Sequence, residues 1–141
     1  MRSTLDRIPY TNELGITLDS TEGGTVRMTL PGAKSNENLA GTVHAGLLFT
    51  FGETLAGVAA GMRTLEKAFP FARGATISYR RPAHGPVFGV ASVSEEDSTR
   101  VLKELSRDGR SELEVVAELS NGDGEAVAEV KVAYAFRPHP E

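Results

Sequence analysis

Cysteine and tryptophan are both absent from the chain, and aromatic residues make up only 6% of it. Without thiols there is no disulfide, no thiolate metal site and no cysteine nucleophile. A basic excess is lacking too: 15 Lys and Arg stand against 19 Asp and Glu, for a net charge of −4. That balance argues against a nucleic-acid partner, because such binding rests largely on neutralising phosphates. The first residues, Met1-Arg2-Ser3-Thr4-Leu5-Asp6-Arg7, contain no apolar run of the kind a secretory signal needs, so none is expected. No Gly-x-Ser-x-Gly elbow, phosphate loop or dinucleotide fingerprint occurs. His44, His84 and His139 are too scattered for a His-Glu-x-x-His metal motif, and no metal site is expected.

What the chain does have is enough for one ordinary domain. It is 141 residues long and 40% apolar, a size that buries roughly 68–70% of the unfolded surface. No repeat or composition break divides it, so a single domain over 1–141 is expected, with its core between about 12 and 137. Thr25 to Leu30 alternates strictly, with Val26, Met28 and Leu30 on one side, which is the period of a half-buried strand. A strand beginning at Ile16 precedes it across the turn Glu22-Gly23-Gly24. Further strands are predicted beyond Pro70, through Ala75, Ile77 and Tyr79, and over Val87–Ser94. Another strand carries Leu113, Val115, Ala117 and Leu119. Its return partner carries Ala126 through Phe136, across the hairpin signal Asn121-Gly122-Asp123-Gly124. A short amphipathic helix is predicted over Ser98–Arg107, with Glu95, Glu96 and Asp97 at its start to suit the helix dipole. The pattern predicts an α+β fold in which a largely antiparallel sheet of five or six strands covers one long helix.

That long helix is predicted over about His44 to Leu65, a Leu-, Ala- and Phe-rich stretch with no proline. Ala45 to Met62 is short for a bilayer and has a carboxylate, Glu53, near its middle, so a core helix is expected rather than a membrane span. The expectation is a soluble, cytoplasmic protein without a membrane partner. At about 100° per residue, Gly46, Thr50, Glu53 and Gly57 fall within a sector of about 60°, extended by Ala60 and Gly61. The opposite sector holds Leu48, Phe51, Leu55, Ala59 and Met62. A stripe of small residues lets a backbone or a slender ligand approach. A carboxylate inside it must be paired, hydrogen-bonded or open to a cleft. Glu53 is therefore either a structural acid, pairing with an arginine or capping a loop, or a functional one. His44 projects opposite Glu53, which disfavours a dyad on one helix. Phe49, Phe51, Phe69, Phe71 and Met62 are read as core, with an acyl channel as the alternative.

The segment Asn38-x-x-Gly41-Thr42-Val43-His44-Ala45-Gly46, with Glu53 nine positions after the histidine, resembles a signature of hotdog-fold acyl-CoA thioesterases of the phenylacetic-acid-degradation type. The later Ile77-Ser78-Tyr79-Arg80-Arg81-Pro82-Ala83 is similar to the strand that follows the helix in that family. The resemblance implies a sheet wrapped around a central helix and protomers joined edge to edge as a homodimer or a dimer of dimers. It implies sites between protomers and an acyl thioester of coenzyme A or a carrier as substrate, with no cofactor. It assigns Glu53 to attack the thioester or activate water, and the Ala45 N–H to polarise its carbonyl. Asn38 and His44 shape the loop that holds substrate or water, while Gly46, Thr50 and Gly57 are carried as substrate-binding positions. Two positions depart from the pattern. Ala45 replaces the first glycine of a His-Gly-Gly, though it keeps the backbone N–H. The serine or threonine that some members carry before the strand at Thr76 is missing, since Phe71-Ala72-Arg73-Gly74 stands there. A non-catalytic acyl-thioester-binding module on the same fold is the alternative. A hotdog dehydratase is disfavoured because His44 is off the face of Glu53.

Overall fold

The computed structural model describes residues 5–140; Met1 to Thr4 of the lead-in and Glu141 lie outside the described residues. A 3-10 turn at Leu5–Arg7 and a one-turn helix α1 (Pro9–Asn12) lead into strands β1 (Thr17–Glu22) and β2 (Thr25–Leu30). The central helix α2 (Ala45–Gly61) follows. Next come β3 (Ala68–Tyr79), β4 (Val87–Ser92), helix α3 (Glu95–Asp108), β5 (Ser111–Ser120) and β6 (Ala126–Pro138). The six strands form one antiparallel sheet in the order β1-β2-β4-β5-β6-β3. This is the expected sheet around a helix, with β1 and β3 at its edges.

The core lies between α2 and the sheet. Val26, Met28 and Leu30 of β2 are fully buried, as are Phe51 and Leu55 of α2, and Val130, Val132 and Phe136 of β6. Each such side chain contributes about 1.5–3 kcal/mol by leaving water. The alternation in β5 holds residue by residue, with Leu113, Val115, Ala117 and Leu119 inside and the glutamates between them outside. Two glycines let helix and sheet meet closely. A Cβ on Gly52 would sit 2.4 Å from Val130 Cγ2 and 2.9 Å from its Cβ, and one on Gly89 of β4 would sit 2.6 Å from Leu55 Cδ2.

Three boundaries differ from the pattern reading. The helix stops at Gly61 rather than Leu65: the Met62 N–H reaches the Ala59 carbonyl (3.5 Å), three residues back, and the chain goes on in turns to Lys67. Strand β3 starts at Ala68 and runs through Pro70. That is possible because β3 is an edge paired only with β6, where a missing N–H need not break a ladder. Beyond a bulge at Arg73, most of β3 is solvent-exposed on both faces, so Ala75 and Tyr79 are not core, and only Ile77 is half-buried. Helix α3 begins at Glu95, three residues early, since the Ser94 hydroxyl caps it by accepting the Asp97 N–H (3.0 Å).

Gly52→Ala separates packing from propensity. Alanine favours the helix by about 1 kcal/mol, but its methyl has no room above Val130. Overpacking costs about 1–3 kcal/mol, so the net expectation is a loss of up to about 2 kcal/mol, read as a lower urea midpoint at unchanged slope. A midpoint above the parent's would contradict the close contact.

Candidate functional site

Glu53 lies in the middle of α2, half-buried, on the wall of a cavity of about 700 Å³. Thr50, Gly57 and Gly61 of the same stripe share that wall. The remaining walls come from the lead-in (Arg7 to Thr11) and from the start of β3 (Phe69 to Ala72). The lining is mainly apolar and aromatic: Phe49, Phe69 and Phe71 face this space, whereas Phe51 is fully buried and Met62 packs against the core. Ala60, the other extension of the stripe, is buried.

No ion pair holds Glu53 among the described residues. Its partner is a phenol. The Tyr134 hydroxyl lies 2.8 Å from Glu53 Oε2 and 3.0 Å from the Glu53 backbone carbonyl, to both of which it is placed to donate. Tyr134 is 2% exposed. Burial, and then the adjacent Glu53 charge and its hydrogen bond, push the phenol far above its ordinary value. It is therefore a neutral donor at neutral pH. Glu53 Oε1 has no hydrogen-bond partner among the described residues. The arrangement offers one engaged and one available carboxylate oxygen beside an apolar space.

The other residues singled out in the sequence gather at the start of α2. Asn38 knots the preceding loop: its Oδ1 accepts from the Ala40 and Thr42 N–H groups (both 3.0 Å), and its Nδ2 donates to the Thr42 hydroxyl (2.8 Å). His44 is the N-cap of α2, and its Nδ1 accepts the Gly46 N–H at 2.9 Å. This bond leaves the proton of the neutral ring on Nε2. Leu47 and Leu48 donate to the His44 carbonyl. The Ala45 N–H, on an exposed residue, has no acceptor among the described residues. It is the kind of orphan donor that a helix start presents to an anion or a polarised carbonyl. From the far end of β3, the Tyr79 hydroxyl donates to the Ala45 carbonyl (2.9 Å).

The structure thus sorts the predicted residues into two groups. Glu53, Thr50 and Gly57 line the cavity; Asn38, His44, Ala45 and Gly46 form the helix start, outside it. Eight residues of helix put the Ala45 and Glu53 backbones about 12 Å apart along the axis, so they do not converge within one chain. Among the described residues, no group of three or more His, Asp or Glu could hold a metal ion. No helix among them is long and apolar enough to cross a membrane. Tyr134 is the residue that pattern reading missed, because it occupies an inward position of an ordinary alternating strand. The available signal was its hydroxyl, which must find a partner when buried.

The raised phenol makes the native state sensitive to alkali. Above about pH 10 the unfolded chain releases the Tyr134 proton while the folded chain keeps it, so stability is lost as pH rises. The melting temperature of the wild type is expected to fall more steeply above that pH than that of Tyr134→Phe. Parallel curves would contradict the assignment.

Over residues 2–135 the chain matches the family described as a domain of unknown function (DUF4442). No curated protein matches it. Among solved structures it is similar to PA5026 of Pseudomonas aeruginosa, described as a protein of unknown function and probable thioesterase. The two share 31% identity at a TM-score of 0.84, over 95% of this chain and 90% of that one. It is also similar to the thioesterase SAV0944 of Staphylococcus aureus, at 17% identity and a TM-score of 0.75 over 92% and 99% of the two chains. A third is the E. coli PaaI protein from the phenylacetic acid degradation operon, at 18% identity and a TM-score of 0.73 over 96% and 87%. The last two likenesses speak for the fold, which is the hotdog fold.

Proposed function

Because this chain belongs to the DUF4442 family and has the hotdog fold, we propose that it is a thioesterase that hydrolyses small acyl thioesters. Thioesterase-type function is supported by the solved neighbours that carry that description. The observation that carries the reading is Glu53, whose Oε1 is without a partner among the described residues, on the wall of an apolar cavity of about 700 Å³. Hydrolysis adds water across the C–S bond, giving a carboxylic acid and a thiol. Glu53 either takes a proton from the attacking water or attacks the carbonyl itself to form an anhydride that water then opens. The developing oxyanion needs a donor in place beforehand, and the unpaired Ala45 N–H is suited to it. The substrate is an acyl group on coenzyme A or a carrier, in the cytoplasm, with no resident cofactor.

Within one chain that donor is too far away, so the complete site takes Ala45 from a second copy. Strand β3 supplies the means. It is a twelve-residue edge whose outer side pairs with no strand among the described residues, and such an edge invites another strand. Its Phe71–Ala72 end lines the cavity, while its Tyr79 end is bonded to Ala45. Antiparallel pairing of two β3 strands about a two-fold axis, centred on the exposed stretch after the bulge, brings the Tyr79 end of one copy to the Ala72 end of the other. Ala45 of each copy then approaches the cavity of its partner. The assembly is a homodimer or a dimer of such dimers.

A second reading, a non-catalytic acyl-thioester-binding module, is favoured by Ala72, which lines the cavity with a methyl where the resemblance offers a hydroxyl. It predicts saturable binding without turnover. An acyl-CoA panel spanning chain lengths and aromatic acids decides between the two. Glu53→Gln is expected to lower kcat by about 10²- to 10⁴-fold with the fold and oligomer intact. Wild-type turnover in that variant would remove Glu53 from the chemistry.

A further inference from the structure

Tyr134 stands on β6, flanked in register by Leu113 of β5 and Ala72 of β3. Ala72 is small, and the β3 bulge falls immediately beyond this pair, so no neighbouring side chain of β3 crowds the ring from that position. The phenol reaches across to the middle of α2 and is placed to bond both the backbone carbonyl and the Oε2 of one residue, Glu53. Gly57 provides the space. A Cβ there would lie 3.2 Å from the Tyr134 oxygen and 3.4 Å from Glu53 Oε2, tight enough that one of the two would have to move.

We infer that Tyr134 is a positioning residue for Glu53: it engages Oε2, sets the carboxylate rotamer against the cavity wall, and leaves Oε1 as the reacting oxygen. The inference deepens the thioesterase reading and rests on it. A rigid sheet position is a better anchor than a loop, because the ring cannot follow the carboxylate if it swings. The double contact adds a constraint that a side-chain bond alone lacks, since it ties the phenol to the helix backbone at the same residue. Donation to the charged carboxylate is a charge-assisted bond, stronger than one between neutral groups. Burial holds the phenol above its ordinary range, so the donor is in place at neutral pH. Tyr134 neither receives the proton nor touches the reacting carbonyl; its effect passes through Glu53.

The test is Tyr134→Phe, which keeps the ring and removes the hydroxyl. Expected are a kcat lower by about 10- to 100-fold and a KM within about two-fold of the wild type. A folded variant whose kcat coincides with the wild type overturns the inference. If Tyr134→Phe does not fold, Gly57→Ala takes its place, because its methyl presses on the same two oxygens. Its kcat must then fall by about 10-fold or more with KM within about two-fold, and an unchanged kcat overturns the inference. A readout independent of turnover separates this inference from the reading beneath it. The wild type should show a slowly exchanging hydroxyl proton by NMR that is absent in Tyr134→Phe and displaced in Glu53→Gln. Should the wild type hydrolyse no thioester on the panel, the thioesterase reading fails. The hydroxyl signal would still decide whether the phenol holds the carboxylate, and its absence overturns the inference.

Discussion

A carboxylate halfway along a core helix has few ways to remain charged. Here one phenol, delivered from the sheet, bonds Glu53 at 2.8 Å, and no arginine or lysine among the described residues pairs with it. Replacing a salt bridge by a neutral donor changes what the carboxylate can do. An ion pair would satisfy both oxygens and draw a second charge into an apolar wall, at a desolvation cost that such pairs often fail to recover. The Tyr134 hydroxyl has a single proton to give, and so leaves the acid half-satisfied beside open space.

Much of the surrounding structure is what this arrangement requires. Thr50, Gly57 and Gly61 keep the helix stripe slender, so the cavity can reach the carboxylate. Gly52 lets α2 settle against Val130 of β6, the strand that carries Tyr134, which fixes the height of the helix above the phenol. The early end of α2 at Gly61 and the early start of β3 at Ala68 bring Phe69 and Phe71 round to the cavity wall. At the other end of the helix, Asn38 and His44 use their side chains on local backbone donors, and the Ala45 N–H has no acceptor among the described residues. The cavity that Glu53 lines and the start of α2 thus stand near opposite ends of the same exposed edge strand.

The strands and the β5–β6 hairpin were legible in the sequence, because one-sided burial imposes a strict period of two, whereas the order of the strands was not. Val26, Met28 and Leu30, and Leu113 through Leu119, bury as that period demands. Glu53 stood out for the opposite reason, as the one ionisable group in an apolar helix. What escaped was decided by tertiary contact. Tyr134 fits an inward strand position as well as any core aromatic, and only the fold places it under Glu53. Pro70 reads as a strand breaker until β3 is known to be an edge. The alternation of Ala75, Ile77 and Tyr79 suggests a buried face, yet on this edge strand Ala75 and Tyr79 stay exposed, only Ile77 is half-buried, and Tyr79 reaches the helix through its hydroxyl alone. The lead-in around Arg7 to Thr11 forms a cavity wall without any periodic signal, because a one-turn helix is too short to have one.

The claim on which the rest depends is that the carboxylate and the backbone donor act together from different copies of the chain. Ala45→Pro removes the donor without disturbing the helix, since proline suits the first helical position and His44 already has the extended backbone that must precede it (φ −56°, ψ 132°). Neither Ala45→Pro nor Glu53→Gln should hydrolyse thioesters alone. When the two variants are unfolded together and refolded as mixed oligomers, one site in each mixed dimer regains both groups. With random pairing, activity should return to about a quarter of the wild type. Mixed oligomers that form and stay inactive would contradict a site shared between two copies.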